Sequence, residues 1–288
     1  MCPKGVYDRS KTAGQRRLER FAAMTGATFE APVETHETDA EIEARIAERF
    51  DIMNVLTEAC IVGDANATII SGPAGLGKSF DVEKQLAAYD PDGQLHTIVK
   101  GYVRPTGLVK LLYQYRHPGN IIVFDDADSA FQDDVALNLI KAVCDTTETR
   151  RVSWLSEAKL VDEETAELLP RTFEFHGSII FITNIDFESE MARGSKLSPH
   201  LEAMMSRSHY IDLTLKTRRD YLVRIRQVIA SGMLDKLNDN ERQDVVGFIE
   251  ANYKIMKSLS LREAIKLGNL RRANPQKWER IAKITMCR

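Results

Sequence analysis

Residues 72–79, GPAGLGKS, have the spacing of a phosphate-binding loop: Gly72, then Gly77, Lys78 and Ser79. Glycines let the backbone curl so that successive N–H groups point inward at a triphosphate. The Lys78 ammonium is expected on the β- and γ-phosphates, and the Ser79 hydroxyl on Mg2+. A helix beginning near Lys78 would add the positive end of its dipole. The candidate nucleotide-binding residues are therefore Gly72, Pro73, Ala74, Gly75, Leu76, Gly77, Lys78, Ser79 and Phe80. ATP and Mg2+ are the expected cofactors.

Four further stretches carry chemistry. In IIVFDD (121–126) an apolar strand ends in two carboxylates. Asp125 is placed to hold Mg2+, directly or through water, and Asp126 to orient or activate a water attacking the γ-phosphate. SIIFITN (178–184) is a second apolar strand. If it lies between the first and third strands, Thr183 and Asn184 come near the γ-phosphate, where an amide can hold the attacking water. In SRSHYIDL (206–213), Arg207 is too far from its own loop but can reach a neighbour's γ-phosphate as an arginine finger, with Arg193 a weaker competitor. In LSLREAIK, Arg262 opens a late helix and can clamp a phosphate from there.

These residues need a sheet to hold them. Ala67–Ser71, His96–Lys100, Ile121–Phe124, Ser178–Thr183 and Tyr210–Leu215 read as five strands. Helices are expected over Ala40–Cys60, Phe80–Tyr89, Gly107–Arg116 and Asp133–Cys144, the last with Val135, Leu139, Ile140 and Val143 as its buried stripe. Val152–Leu155 reads as a short strand, Glu157–Leu169 as a small acidic helix, and Met204–Arg207 as part of a short helix after a loop containing Gly194 and Pro199. From Thr217 the period is helical to the end, and Ser260-Leu261-Arg262-Glu263 is a capping box. Alternating strands and helices predict a parallel sheet covered on both faces, with ligands at the carboxyl ends of its strands. The fold class is thus α/β, a five-stranded parallel sheet between helices, followed by a small all-helical domain. The expected division is an arm over 1–39, a nucleotide-binding domain over 40–215 and a helical domain over 216–288.

Composition narrows the classes. With 288 residues, 43% hydrophobic and 28% charged, the chain reads as an ordinary soluble globular protein. A net charge of -3 argues against a uniformly basic nucleic-acid binder but leaves room for a local patch. Cys2, Cys60, Cys144 and Cys287 lack CxxC spacing and read as reduced cytosolic thiols, not a disulfide frame or zinc site. No apolar run is long enough for a membrane span, and the first ten residues lack a signal-peptide core, so a cytoplasmic location is expected, the host's if the chain is viral. The arm is basic up to Arg20 and acidic from Glu30; it reads as a docking or nucleic-acid-touching arm or as a solvated tail.

GPAGLGKS, IIVFDD, ITN, SRS and LSLREAIK, in this order and spacing, resemble Walker A, Walker B, sensor 1, arginine finger and sensor 2. Over about residues 40–270 the chain resembles an AAA+ ATPase, similar to the compact single-module members of tailed phages and more distantly to clamp loaders and helicase loaders. Many members have Asp-Glu where this chain has Asp125-Asp126, which bears on the base role of Asp126 and on turnover. The resemblance implies a nucleotide site shared between subunits, Arg207 acting in trans, and a homo-oligomeric ring or spiral, often a hexamer. The helical tail would be the lid domain. Gly101-Tyr102-Val103 falls where members carry a pore-facing loop; Tyr102 there suits a protein substrate, while Lys100 and Arg104 suit nucleic acid equally. Arg271, Arg272, Lys277, Arg280, Lys283 and Arg288 form a candidate phosphate-backbone patch or a solvated helix face. The expected function is an ATPase remodelling a macromolecule, with a DNA-replication accessory or loader first. The alternatives are a protein-remodelling chaperone, an ATP-dependent assembly switch with little turnover, and a monomeric phosphoryl transferase.

Overall fold

A computed structural model describes residues 37–131, 133–156, 159–162 and 165–288; the arm before residue 37 lies outside them. Asp39–Arg288 is one compact unit. It opens with α1 (Asp39–Val62), which buries Ile42, Ile46, Phe50, Met53, Thr57 and Cys60 at helical spacing and carries Asp39 and Glu41 in its first turn, where the helix dipole favours them.

The central sheet takes β1 (Ala67–Ser71), β2 (His96–Lys100), β3 (Ile121–Asp125), β6 (Ser178–Thr183) and β7 (His209–Asp212) in the order β2-β3-β6-β1-β7. Every pairing is parallel. The expected insertion of the 178–183 strand between the first and third is therefore present. Alternate residues of the central strands feed opposite cores, as a period of two requires. Ile69, Ile122, Phe124, Ile179 and Phe181 join one core, and Ile70, Ile121, Val123, Ile180 and Ile182 the other. The first core also takes α3 (Pro105–Gln114), α4 (Asp134–Cys144), α5 (Phe187–Ala192) and α6 (Ser198–Met205); the second takes α1 and α2 (Lys78–Tyr89). This is an α/β fold with a helix-covered parallel sheet, the architecture of a P-loop NTPase core. The last four helices, α7 (Arg218–Ala230), α8 (Asp239–Asn252), α9 (Leu261–Ala273) and α10 (Trp278–Met286), pack around a third core that includes Val245, Ala264, Leu267 and Ala282.

Several local expectations are corrected. No helix covers the described part of 157–169: Val161 pairs with Leu168 across an antiparallel bridge, with Ala166 at φ 56 in the turn. That bridge extends a two-stranded ribbon of β4 (Arg151–Ser153) and β5 (Thr172–Glu174), whose second strand is unforeseen. Of the expected stripe, Leu139, Ile140 and Val143 are buried with Ala136 and Leu137, but Val135, in the first turn of α4 behind the Asp133 cap, is 49% exposed. Pro199 sits in the first turn of α6, where its missing N–H costs nothing, and α3 likewise starts on Pro105. Ser260 caps α9 by accepting from the Glu263 N–H, but the Glu263 carboxylate turns to Lys266 at 2.8 Å, so only half the capping box forms. No helix among the described residues is long and apolar enough to cross a membrane.

Candidate functional site

Loop 72–77 leaves the carboxyl end of β1 and turns into α2 at Gly77, whose φ of 99 is a left-handed conformation that glycine adopts without strain. Gly75 is required for a second reason: a Cβ there would come within 2.8 Å of the Ser260 Cβ. The start of α9 thus lies directly on the loop, and the Leu261 N–H donates to the Gly75 carbonyl at 2.9 Å.

Lys78 is buried at the base of the loop. Its ammonium donates to the carbonyls of Pro73 at 3.1 Å and Thr183 at 3.3 Å, to Asn184 Oδ1 at 3.2 Å, and to the Gly72 carbonyl. All four acceptors are neutral, so an anion entering the loop would be its first directly bonded charged partner. Burial pulls the lysine down to about 8, and the Arg262 charge adds to this, while Asp126, Asp125 and Asp128 act against it.

The Ser79 hydroxyl donates to Asp125 Oδ1 at 2.9 Å. Lys100 meets the other Asp125 oxygen at 3.1 Å and Glu83 at 2.8 Å. Its ammonium is therefore turned toward the site instead of being free for a nucleic-acid backbone. Asp126, the next residue, has φ 53, an uncommon conformation for a residue with a side chain and one found at functional turns. Asn184 Nδ2 donates to Asp126 Oδ1 at 2.7 Å while Asn184 Oδ1 accepts from Lys78. The amide thus links lysine and carboxylate. Behind it, Thr183 Oγ1 donates to Asp128 at 2.6 Å and accepts from the Ile185 N–H at 3.0 Å. Burial raises the Asp128 carboxyl above its usual range, and the Asp126 charge adds to the rise.

Ala74–Asp81, Asp125, Asp126, Asn184 and Arg262 line one cleft of about 1040 Å³, which continues between α1 and the last four helices past Phe50, Leu234 and Ile265. Phe80 and Arg262 are exposed in it. Arg207 does not line it. Arg207 follows the end of α6, donates to the Ala203 carbonyl at 2.8 Å and stands 4.0 Å from Asp145. Arg193 is exposed and paired with Glu190 at 3.0 Å. Tyr102, 74% exposed, caps the loop after β2.

One residue of the site had no sequence signal. Arg224 of α7 lies with its guanidinium carbon 3.4 Å from the centre of the Phe50 ring, donates to the Leu76 carbonyl at 3.3 Å, and sits 3.7 Å from Asp81. It joins α1, α7 and the loop. Burial lowers it to about 10, still charged at neutral pH, and also raises Asp81, so desolvation outweighs attraction on both partners. The useful part of the contact is the capped loop carbonyl and the ring stack. Arg224→Ala is expected to cost about 2 kcal/mol by leaving the Leu76 carbonyl without its donor. Thermal unfolding should then shift down by roughly 4–8 °C, and an unmoved midpoint would refute this role.

No protein-family model matches the chain. Among solved structures, the Thermotoga maritima RuvB Holliday junction branch migration motor aligns with a TM-score of 0.45 and 11% identity, over 83% of this chain and 68% of that one. Aeropyrum pernix ORC2 aligns with a TM-score of 0.45 and 12% identity, over 83% and 67%. At these scores neither protein's activity is carried over. Sequence gives a nearer relative: an uncharacterised 36.7 kDa protein from the nrdC–mobD intergenic region of Enterobacteria phage T4. It is 36% identical over 253 residues, which is 86% of this chain and 77% of the T4 protein. The chain therefore belongs to the same family as that phage T4 protein.

Proposed function

We propose that the chain is an AAA+ ATPase that binds ATP with Mg2+ and hydrolyses it at subunit interfaces to remodel a macromolecule, with a DNA-replication accessory role first. The observation that carries this reading is the meeting of Lys78, the Ser79–Asp125 pair, the Asp126–Asn184 pair and Arg262 on one cleft beside a glycine loop. Loop amides and Lys78 hold the phosphates, and Arg262 closes over them from α9. Ser79 and Asp125 offer only oxygens, which fits Mg2+, a cation that takes one or two protein oxygens beside phosphates and water. Bound there, Mg2+ would neutralise charge developing on the phosphates. Asp126, steadied by Asn184, accepts the proton of the attacking water. Arg207 completes the site of an adjacent copy, because it stands away from the cleft of its own chain.

In this reading the assembly is a homo-oligomeric ring, a hexamer first, working in the cytoplasm of a bacterial host as its kinship with a phage protein suggests. Residues 216–288 are the lid. ATP hydrolysis per subunit should rise with protein concentration as interfaces form. Hydrolysis that does not depend on concentration would favour a monomeric phosphoryl transferase, and wild type without any turnover would favour an assembly switch. Stimulation by DNA would support the replication role over protein remodelling through Tyr102.

The lysine gives a pH test. Its pKa is about 8, below the ordinary value, so the cationic form that grips phosphate predominates at pH 7, is half lost at the pKa and disappears as pH rises further. ATP affinity should be near its plateau at pH 7, drop about twofold by pH 8 and then fall toward roughly tenfold per unit, read by fluorescent-nucleotide titration. Affinity unchanged to pH 10 would contradict a proton requirement at Lys78.

A further inference from the structure

Residues 253–288 contain ten Lys and Arg against only Glu263 and Glu279, within a chain of net charge -3. Charge of one sign concentrated in one segment points to an anionic partner where the cations are not already paired. On α7–α9 many are paired: Arg226 with Glu250 and Asp39, Arg242 with Asp239, Lys266 with Glu263, and Arg271 with Asp244. The last helix differs. Lys277, Arg280, Lys283 and the following Arg288 are all exposed, and no acidic side chain among the described residues forms an ion pair with them.

Helical spacing puts these cations on one stripe. Trp278, Ala282 and Met286 face the third core and fix the rotation of α10. Lys277, Arg280 and Lys283, at intervals of three, then share the outward face with Ile284, which is 68% exposed. Glu279 is the only acidic residue of the helix. The chain end extends this surface: the Arg288 N–H donates to the Ile255 carbonyl at 2.9 Å, which brings Arg288 beside exposed Lys254. Repulsion among unpaired like charges at this spacing is relieved by an anionic partner.

The geometry points to the α10 stripe as a docking surface for the phosphate backbone of duplex DNA, without sequence preference. Phosphates are the partner that Lys and Arg bind without any base contact. Duplex is favoured over single strands because single-strand sites stack bases on aromatic rings. The one aromatic residue of α10, Trp278, is instead buried against Phe248 at 5.3 Å. This goes beyond the ATPase reading, since it needs neither the cleft nor turnover.

The test is fluorescence anisotropy of the full chain with a labelled duplex of about 30 base pairs, titrated between about 50 and 200 mM salt. Wild type is expected to bind with log affinity falling linearly in log salt, and to bind a single strand of the same length more weakly. Arg280→Glu with Lys283→Glu should weaken duplex binding by ~10-fold or more and flatten the slope by about 2, and the paired alanine replacements should do so to a lesser degree. Thermal midpoint and ATP hydrolysis measured without DNA should stay at wild-type values, which separates this surface from the nucleotide site. Three results would overturn it: no salt-dependent duplex binding by wild type, unchanged affinity and slope in both double variants, or stripe-dependent binding to phosphatidylserine vesicles without duplex binding.

Discussion

Lys78→Ala is expected to abolish ATP binding and to lower hydrolysis by ~10²-fold or more, the scale on which losing one charge-stabilising donor acts. The ammonium is buried, bonded only to neutral oxygens, and already weakened as a cation by desolvation. A triphosphate would bring it the anionic partner it lacks, so much of the binding free energy is concentrated on this group. Differential scanning fluorimetry gives a clean reading. At about 100 times the dissociation constant, ligand should stabilise wild type by ~2.7 kcal/mol. For a chain of this size that corresponds to a rise of roughly 5–10 °C. Lys78→Ala should show no ATP-dependent rise while keeping its far-ultraviolet circular dichroism. An equal rise in wild type and variant would remove Lys78 from the site.

Arg207→Ala is expected to lose ~10³–10⁵ in turnover while ATP affinity stays at the wild-type value. The split follows from position. Arg207 lies outside the cleft of its own chain, so it cannot contribute to ground-state binding within a monomer. Lysine should not rescue it, because the planar guanidinium fork is what spans two oxygens of a transferring phosphoryl group. Measuring the dissociation constant and single-turnover hydrolysis side by side checks both halves. Weakened binding with normal chemistry would make Arg207 a structural residue of the α6–β7 junction.

Much of the site could be read from sequence because its residues are local to strand ends. Ala67–Ser71, Ile121–Asp125 and Ser178–Thr183 are apolar runs buried on both faces, and the polar residue that ends each run is fixed at the carboxyl edge of the sheet. What escaped depends on distance or on phase. Arg224 meets the Leu76 carbonyl across 148 residues of sequence, and nothing in DYLVRIRQVI marks that arginine among its neighbours. The pairing of Asn184 with both Lys78 and Asp126 likewise arises only when two strands lie side by side. Only the first strand of the ribbon over 151–174 was legible; the second, Thr172–Glu174, is three residues long, too short for a period of two to show, and the acidic stretch before it imitates helical composition. At α4 the helix and most of its buried stripe were legible, Leu139, Ile140 and Val143 being buried, and only Val135, in the first turn after the Asp133 cap, is exposed.

The central claim is that one chain supplies Lys78 and another supplies Arg207 to the same phosphates. Mixing Lys78→Ala with Arg207→Ala protein tests it most directly, since each is expected to be nearly inactive alone. In a mixed ring, an Arg207→Ala subunit keeps its loop lysine and its Lys78→Ala neighbour keeps the arginine. About a quarter of randomly paired interfaces are then complete, and ATP hydrolysis should recover toward that fraction of wild type. A mixture no more active than the sum of its parts, under conditions where the two variants co-assemble, would contradict the shared site.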